Sequence, residues 1–186
     1  MPSSSDVFII SAIATADPAE ALRQAIKNSG VSPGRVQDFI CGTDDGLTPI
    51  GAEELARETA ILCPYVTVSS SLRALFFASQ SILCENADVV LLSGSQDGAC
   101  AALLLASPSA VGVYNLSPLA CIDVCSLAGA DVVLKKAGLA SENIGVSLDG
   151  TCGALLAAQL VMELQEREVQ WGMVNVAGAS ILIERV

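Results

Sequence analysis

Two patterns of apolar spacing alternate along the chain. Residues 7–14 (VFIISAIA) form an unbroken apolar run between polar neighbours and predict a buried strand. Asp17, Pro18 and Glu20 then supply an N-cap, a proline at the first helical position and an acid near the third. Leu22, Ala25 and Ile26 make one apolar face of that helix before Gly30 stops it. Residues 39–42 predict a second strand, 52–62 a helix and 65–69 (YVTVS) a third strand. Leu72, Leu75, Phe76, Ser79, Ile82 and Leu83 share one side of a helix that starts near Ser70. Residues 88–93 and 101–106 predict the fourth and fifth strands.

The second half runs through similar elements in a shorter space. It predicts strands at 119–124, 144–148, 173–176 and 181–184, and helices at 129–137 and 152–166. The pieces 76–83 (FFASQSIL) and 155–162 (LLAAQLVM) can be superposed, each with a strand before it and two after. Apolar helices share composition, so this alone makes a weak internal repeat.

Composition sharpens the picture. Of 186 residues, 52% are hydrophobic and 16% charged, which predicts a single folded domain whose elements are mostly buried on both faces. The net charge of −11 is the wrong sign for nucleic acid or an anionic membrane surface, and no apolar run reaches the length of a membrane span. The opening apolar stretch follows Ser3, Ser4, Ser5 and Asp6 rather than a basic region, so a cytoplasmic location is expected. The seven cysteines (Cys41, Cys63, Cys84, Cys100, Cys121, Cys125 and Cys152) form no CxxC pair and read as reduced core thiols. The absence of histidine removes the commonest general base and the commonest metal ligand together.

The run 66–94 (VTVSSSLRALFFASQSILCENADVVLLSG) resembles the nucleophile strand and following helix of thiolases and β-ketoacyl synthases, with Val68 at the position of the nucleophilic cysteine. Other segments resemble that family in the same order. They are 7–14 (first strand), 19–42 (first helix and second strand), 97–107 (DGACAALLLAS, its DGAA strand) and 118–123 (PLACID, its PLA-R-I strand). The helix at 130–139, the strand 146–150 (VSLDG, its VNVNG strand) and the closing hairpin 171–185 complete the series. The resemblance implies a minimal thiolase-like α/β fold, with two β-α repeats (about 7–110 and 118–186) whose mixed sheets pack around central helices.

Several family features have no counterpart. Only Ser95 and Gln96 stand where a thiolase inserts the loop domain that supplies most coenzyme A contacts, so coenzyme A binding is doubtful. The NEAF segment is missing, which implies the loss of one strand and one helix from the second repeat. The GHP segment is missing too, and the second catalytic cysteine falls at or beside Ala177. Val68 can neither hold an acyl group nor generate a thiolate. The amides opening the helix near Ser70 would still offer donors to an anion.

Cys152 is the alternative nucleophile, because a helix start lowers a thiol pKa and Asp149 lies three residues earlier; the competing reading is a buried core cysteine. Cys121 and Cys125 would share one face of a strand, without enough further ligands for a metal site. Ser69, Ser70 and Ser71 read as caps of the following helix, Asp44 and Asp45 before Gly46 as a solvated turn, and Glu163 with Arg167 as an i, i+4 pair.

The expected function is that of a noncatalytic interaction or regulatory subunit without cofactor or metal. The resemblance implies that it uses the family's dimer strand, Tyr65, Val66, Thr67, Val68 and Ser69, to join a second copy or a catalytic thiolase-type partner. The alternatives are a module binding an acyl group or small anion, and a diverged acyltransferase using Cys152.

Overall fold

The computed structural model describes residues 6–44 and 51–186. Ser3, Ser4, Ser5, Asp45 and Gly46 lie outside the described residues. The first half of the chain comprises β1 (Val7–Thr15), α1 (Pro18–Ser29), β2 (Asp38–Thr43), α2 (Ala52–Thr59), β3 (Tyr65–Val68), α3 (Ser71–Leu83), β4 (Val89–Gln96), β5 (Ala99–Ala106) and α4 (Pro108–Tyr114). The second comprises β6 (Ala120–Ser126), α5 (Ala130–Ala137), β7 (Val146–Gly150), α6 (Gly153–Arg167), β8 (Trp171–Val176) and β9 (Ala179–Arg185).

Local chemistry sets these boundaries. The Asp17 carboxylate accepts from the Ala19 and Glu20 amides at 2.9 and 3.2 Å to start α1, and Gly30 ends it with φ +74°. The helix expected to run to residue 62 stops at Thr59, because Ala60 turns left-handed (φ +55°) and its amide, with that of Ile61, closes on the Ala56 carbonyl. The short helix α4 was not among the expected elements. Its start is nevertheless written as Ser107, which accepts from the Ala110 amide, followed by Pro108. The strands expected at 88–93 and 101–106 extend toward each other to Gln96 and from Ala99, because Asp97 and Gly98 (φ +51° and +79°) form a two-residue hairpin turn between them, so that the segment resembling the DGAA strand opens on that turn.

The strands lie in the order β3-β2-β4-β5-β1-β6-β9-β8-β7. The two mixed sheets expected of the repeats are therefore joined edge to edge, through the antiparallel pairs Val7↔Ile122, Phe8↔Cys121 and Ile9↔Ala120. Each half keeps the same internal order: β1, β5, β4 and β2 in one, β6, β9, β8 and β7 in the other. The two halves also share irregularities. β1 has a bulge between Ile9 and Ser11 and β6 one between Ile122 and Val124, each at the fourth residue of its strand. The second hairpin turns on Ala177 and Gly178 (φ +47° and +83°), as the first does on Asp97 and Gly98.

The sheet wraps around α3 and α6, which share one core with the inner faces of β1, β2, β4, β5, β6, β7, β8 and β9. The helices α1, α2 and α4 cover the outer face of the first half, and α5 that of the second. β7 stands where β2 stands in the first half, and the α2-β3 unit has no counterpart among the described residues, which fits the missing strand and helix. The sequence follows suit: β2 is buried at its four central residues, whereas β7 exposes Ser147, Asp149 and Gly150.

The bulge in β6 also corrects the expectation for its thiols. An even-spaced pair on a regular strand shares one face, but the extra residue at Asp123 reverses the alternation. Cys121 consequently joins the outer core of the first half, and Cys125 packs into the central core.

Candidate functional site

The amino ends of α3 and α6 meet beneath β4. A Cβ on Gly94 would come within 2.6 Å of the Ser71 Cβ and 2.5 Å of the Ala154 Cβ, so the strand approaches both helix starts through a residue with no side chain. Gly153 permits a similar approach to Leu72. The chain thus brings two positive helix ends to one place.

Those ends are occupied by the protein's own groups. The Ser71 amide donates to both oxygens of the Asp44 carboxylate, at 3.0 and 3.2 Å. Ser71 Oγ accepts from the Ala154 amide at 3.0 Å, and lies 3.4 Å from Cys152 Sγ. Three expectations are corrected by this arrangement. Asp44 is a cap for α3 rather than part of a solvated turn. Ser70 opens α3 without a side-chain cap, and Ser71 caps α6 instead of its own helix. The Ser71 amide is not left as a donor for an external anion.

Cys152 precedes α6 as expected of a helix-start thiol, but burial dominates its chemistry. It is 3% exposed, and desolvation pushes its pKa up to about 11, outweighing the stabilising hydrogen bonds from Ser71 and the helix. The expected lowering is therefore reversed, and at neutral pH the group is a thiol. Asp149 is exposed at the end of β7 and is not among the groups acting on it. Burial raises Cys121 and Cys125 to about 12 and raises Cys41 and Cys63 as well, whereas Cys84 is exposed at the end of α3.

Val68 ends β3 half-buried, with its side chain against the central core and its carbonyl accepting from Thr43 Oγ1 at 3.4 Å. Ser69 and Ser70, which follow it, share a cleft of about 350 Å³ with Arg73, Leu127 and Ala177. Ala177 lines this cleft and Val68 directly precedes Ser69 on its wall, and neither residue carries a thiol. Among the described residues no group of three or more Cys, Asp or Glu side chains is placed to hold a metal ion. No described helix is long and apolar enough to cross a membrane.

No family model and no curated protein matches the sequence. Solved structures do match it. Human mitochondrial 3-ketoacyl-CoA thiolase in complex with CoA gives a TM-score of 0.80 at 14% identity, covering 97% of this chain and 98% of that one. The Bacillus anthracis acetyl-CoA acetyltransferase gives 0.85 at 14% identity, covering 97% and 99%. The chain has the thiolase-like fold. A further structure of the human thiolase agrees, at 0.79 and 13% identity with coverage of 99% and 100%. At such identities the likeness is one of fold, and it bears out the architecture that the sequence resemblance implied. The thiolase-like fold here lacks an assembled catalytic set among its described residues.

Proposed function

We infer that this protein is a noncatalytic interaction or regulatory subunit that associates through β3. The observation that carries the reading is the position of β3 at the rim of the sheet, where among the described residues it pairs with β2 alone. The Phe39 amide donates to the Pro64 carbonyl, and alternate residues bond to a parallel neighbour, so the backbones of Tyr65, Thr67 and Ser69 point to the open side. Tyr65 and Val66 are 48% and 47% exposed, and Phe77 on the neighbouring α3 is 47% exposed. An apolar, uncharged rim of this kind is an association surface or an aggregation hazard.

The filled helix ends support the noncatalytic half of the reading. A thiolate nucleophile needs a lowered pKa and an oxyanion needs free donors. Here Val68 replaces the first, and Asp44 takes the Ser71 donor. A second reading, a module for an acyl group or small anion, draws on the cleft between Ser70 and Ala177 with Arg73 at its margin.

The test is mass by light scattering at micromolar concentration, alone and mixed with a catalytic thiolase-type enzyme. A dimer or a heteromer is expected. A soluble monomer that ignores such an enzyme excludes the subunit reading.

A further inference from the structure

A cavity of about 210 Å³ lies between the sheet and the α1 and α2 layer, at the carboxyl ends of the parallel strands β2 and β4. This is the outer face of the first half, on the other side of the sheet from the central helices and the cleft beside Ser70. The sequence carves it in register. One row across three strands is large, Phe39, Leu91 and Leu104, and the next row on the same face is small, Cys41, Ser93 and Ala102. The row after that continues with Ser95 and Cys100. Open crevices at the carboxyl ends of strands are where α/β sheets commonly bind small molecules.

The cavity wall carries an unmet hydrogen-bonding group. Ser93 is 3% exposed, and its Oγ is the one buried side-chain oxygen or nitrogen among the described residues that makes no hydrogen bond of good geometry; its neighbour on the wall is the Cys41 thiol, a weak partner that leaves the hydroxyl free to turn to a better one. Buried hydroxyls are almost always paired, so this one calls for an acceptor or donor inside the cavity. No charged side chain lines the cavity among the described residues. The start of α1, whose Pro18 lines the cavity, is also closed to anions, because Asp17 already takes the Ala19 and Glu20 amides. A charged guest would pay its desolvation without compensation. The Cys100 thiol already donates to the Ala16 carbonyl, at 3.9 Å, and the strand amides and carbonyls serve the ladder, which leaves the Ser93 hydroxyl as the wall group placed to donate to a guest.

We propose that this cavity is a binding site for a small uncharged aliphatic molecule bearing one carbonyl oxygen, which accepts a hydrogen bond from Ser93. A cavity of about 150 Å³ accommodates a benzene ring, so this one suits a guest of about six non-hydrogen atoms. The site is independent of the subunit reading and involves neither β3 nor the helix ends.

The probe is 2-pentanone, followed by ligand-observed saturation-transfer NMR on the whole chain, with pentanoate as the charged control. Saturable binding of 2-pentanone and none of pentanoate is expected. Ser93→Ala keeps the cavity and removes only the hydroxyl, and should weaken binding about five-fold. Ser93→Leu fills the space and should abolish it. No saturable binding of 2-pentanone, equal binding of pentanoate, or an unchanged affinity in Ser93→Ala each overturns the proposal. Ser93→Ala adds no volume, so the test stands even where the leucine variant fails to fold.

Discussion

Asp44 and Ser71 are joined at two points, with the Ser71 amide 3.0 and 3.2 Å from the two carboxylate oxygens. Ser71 in turn serves Ala154, so one side chain from the β2 end secures the start of α3 and, through it, the start of α6. Asp44→Ala should cost about 1 kcal/mol and lower Tm by about 2–4 °C. Asp44→Asn, which keeps one acceptor, should lose less. Calorimetry that finds the alanine variant unchanged would remove Asp44 from the architecture of the site.

Gly94 is fixed by the same junction. An added methyl group would press on Ala154 and Ser71 at 2.5 and 2.6 Å, and neither neighbour is a flexible chain end. Gly94→Ala should destabilise by about 1–3 kcal/mol, read as a lower urea midpoint. An equal midpoint would mean that the two helices can part at little cost.

Alkali should unfold the protein through its thiols. Cys152 is raised from 9.0 to about 11, and Cys121 and Cys125 from 9.0 to about 12, in each case chiefly by burial. In this range the folded state holds protons that the unfolded chain releases, so unfolding stability falls as pH rises. The thiol contribution is complete below pH 9 and is lost as pH climbs toward 11 and 12. Denaturant midpoints between pH 8 and 11 should decline, and native thiol titration at pH 8 should find Cys84 fast and these three slow. A flat profile would mean that burial does not raise these thiols above their unfolded pKa values.

Thiolysis of acetoacetyl-CoA and condensation of acetyl-CoA should stay at background. Val68→Cys should not raise them, since the chain has no histidine to act as base. Turnover that disappears in Cys152→Ala would instead make Cys152 a nucleophile despite its burial.

Thr67 lies on the open side of β3, and its Oγ1 accepts from the Ala52 amide at 3.0 Å, at the start of α2. Thr67→Pro removes an outward amide and should yield monomers or insoluble protein. Thr67→Val keeps the strand backbone but loses the α2 cap, so it should lower Tm while leaving the mass unchanged. Were both variants to keep the wild-type mass, association would have to lie elsewhere.

The fold was legible because most elements carry local signals: Asp17 and Pro18 at a helix start, Gly30 at its end, and β-branched runs for strands. The central site was less legible because its contacts join distant positions. The links from Asp44 to Ser71 and from Ser71 to Ala154 span 27 and 83 residues. The sequence could show Asp44 near a turn, but not which helix start would come to lie beside it. The facing of Cys121 and Cys125 was hidden for a related reason, since one inserted residue reverses every later side chain. Ser93 had no local signature at all, because its isolation depends on the rows of small residues on either side.

The two rims of the sheet differ in a way that limits growth. Both end strands carry backbone that is unpaired on one side among the described residues, but β3 flanks it with exposed tyrosine and valine, whereas β7 presents Ser147 and Asp149 to water, and the Asn175 amide donates to Ser147 Oγ at 3.1 Å. A sheet with adhesive rims at both ends would add copies indefinitely and become a ribbon. With one blunt rim, an assembly that joined through β3 would use up that strand in each partner and would terminate at two. In such an assembly the shortened second half would act as a chain terminator for the sheet itself.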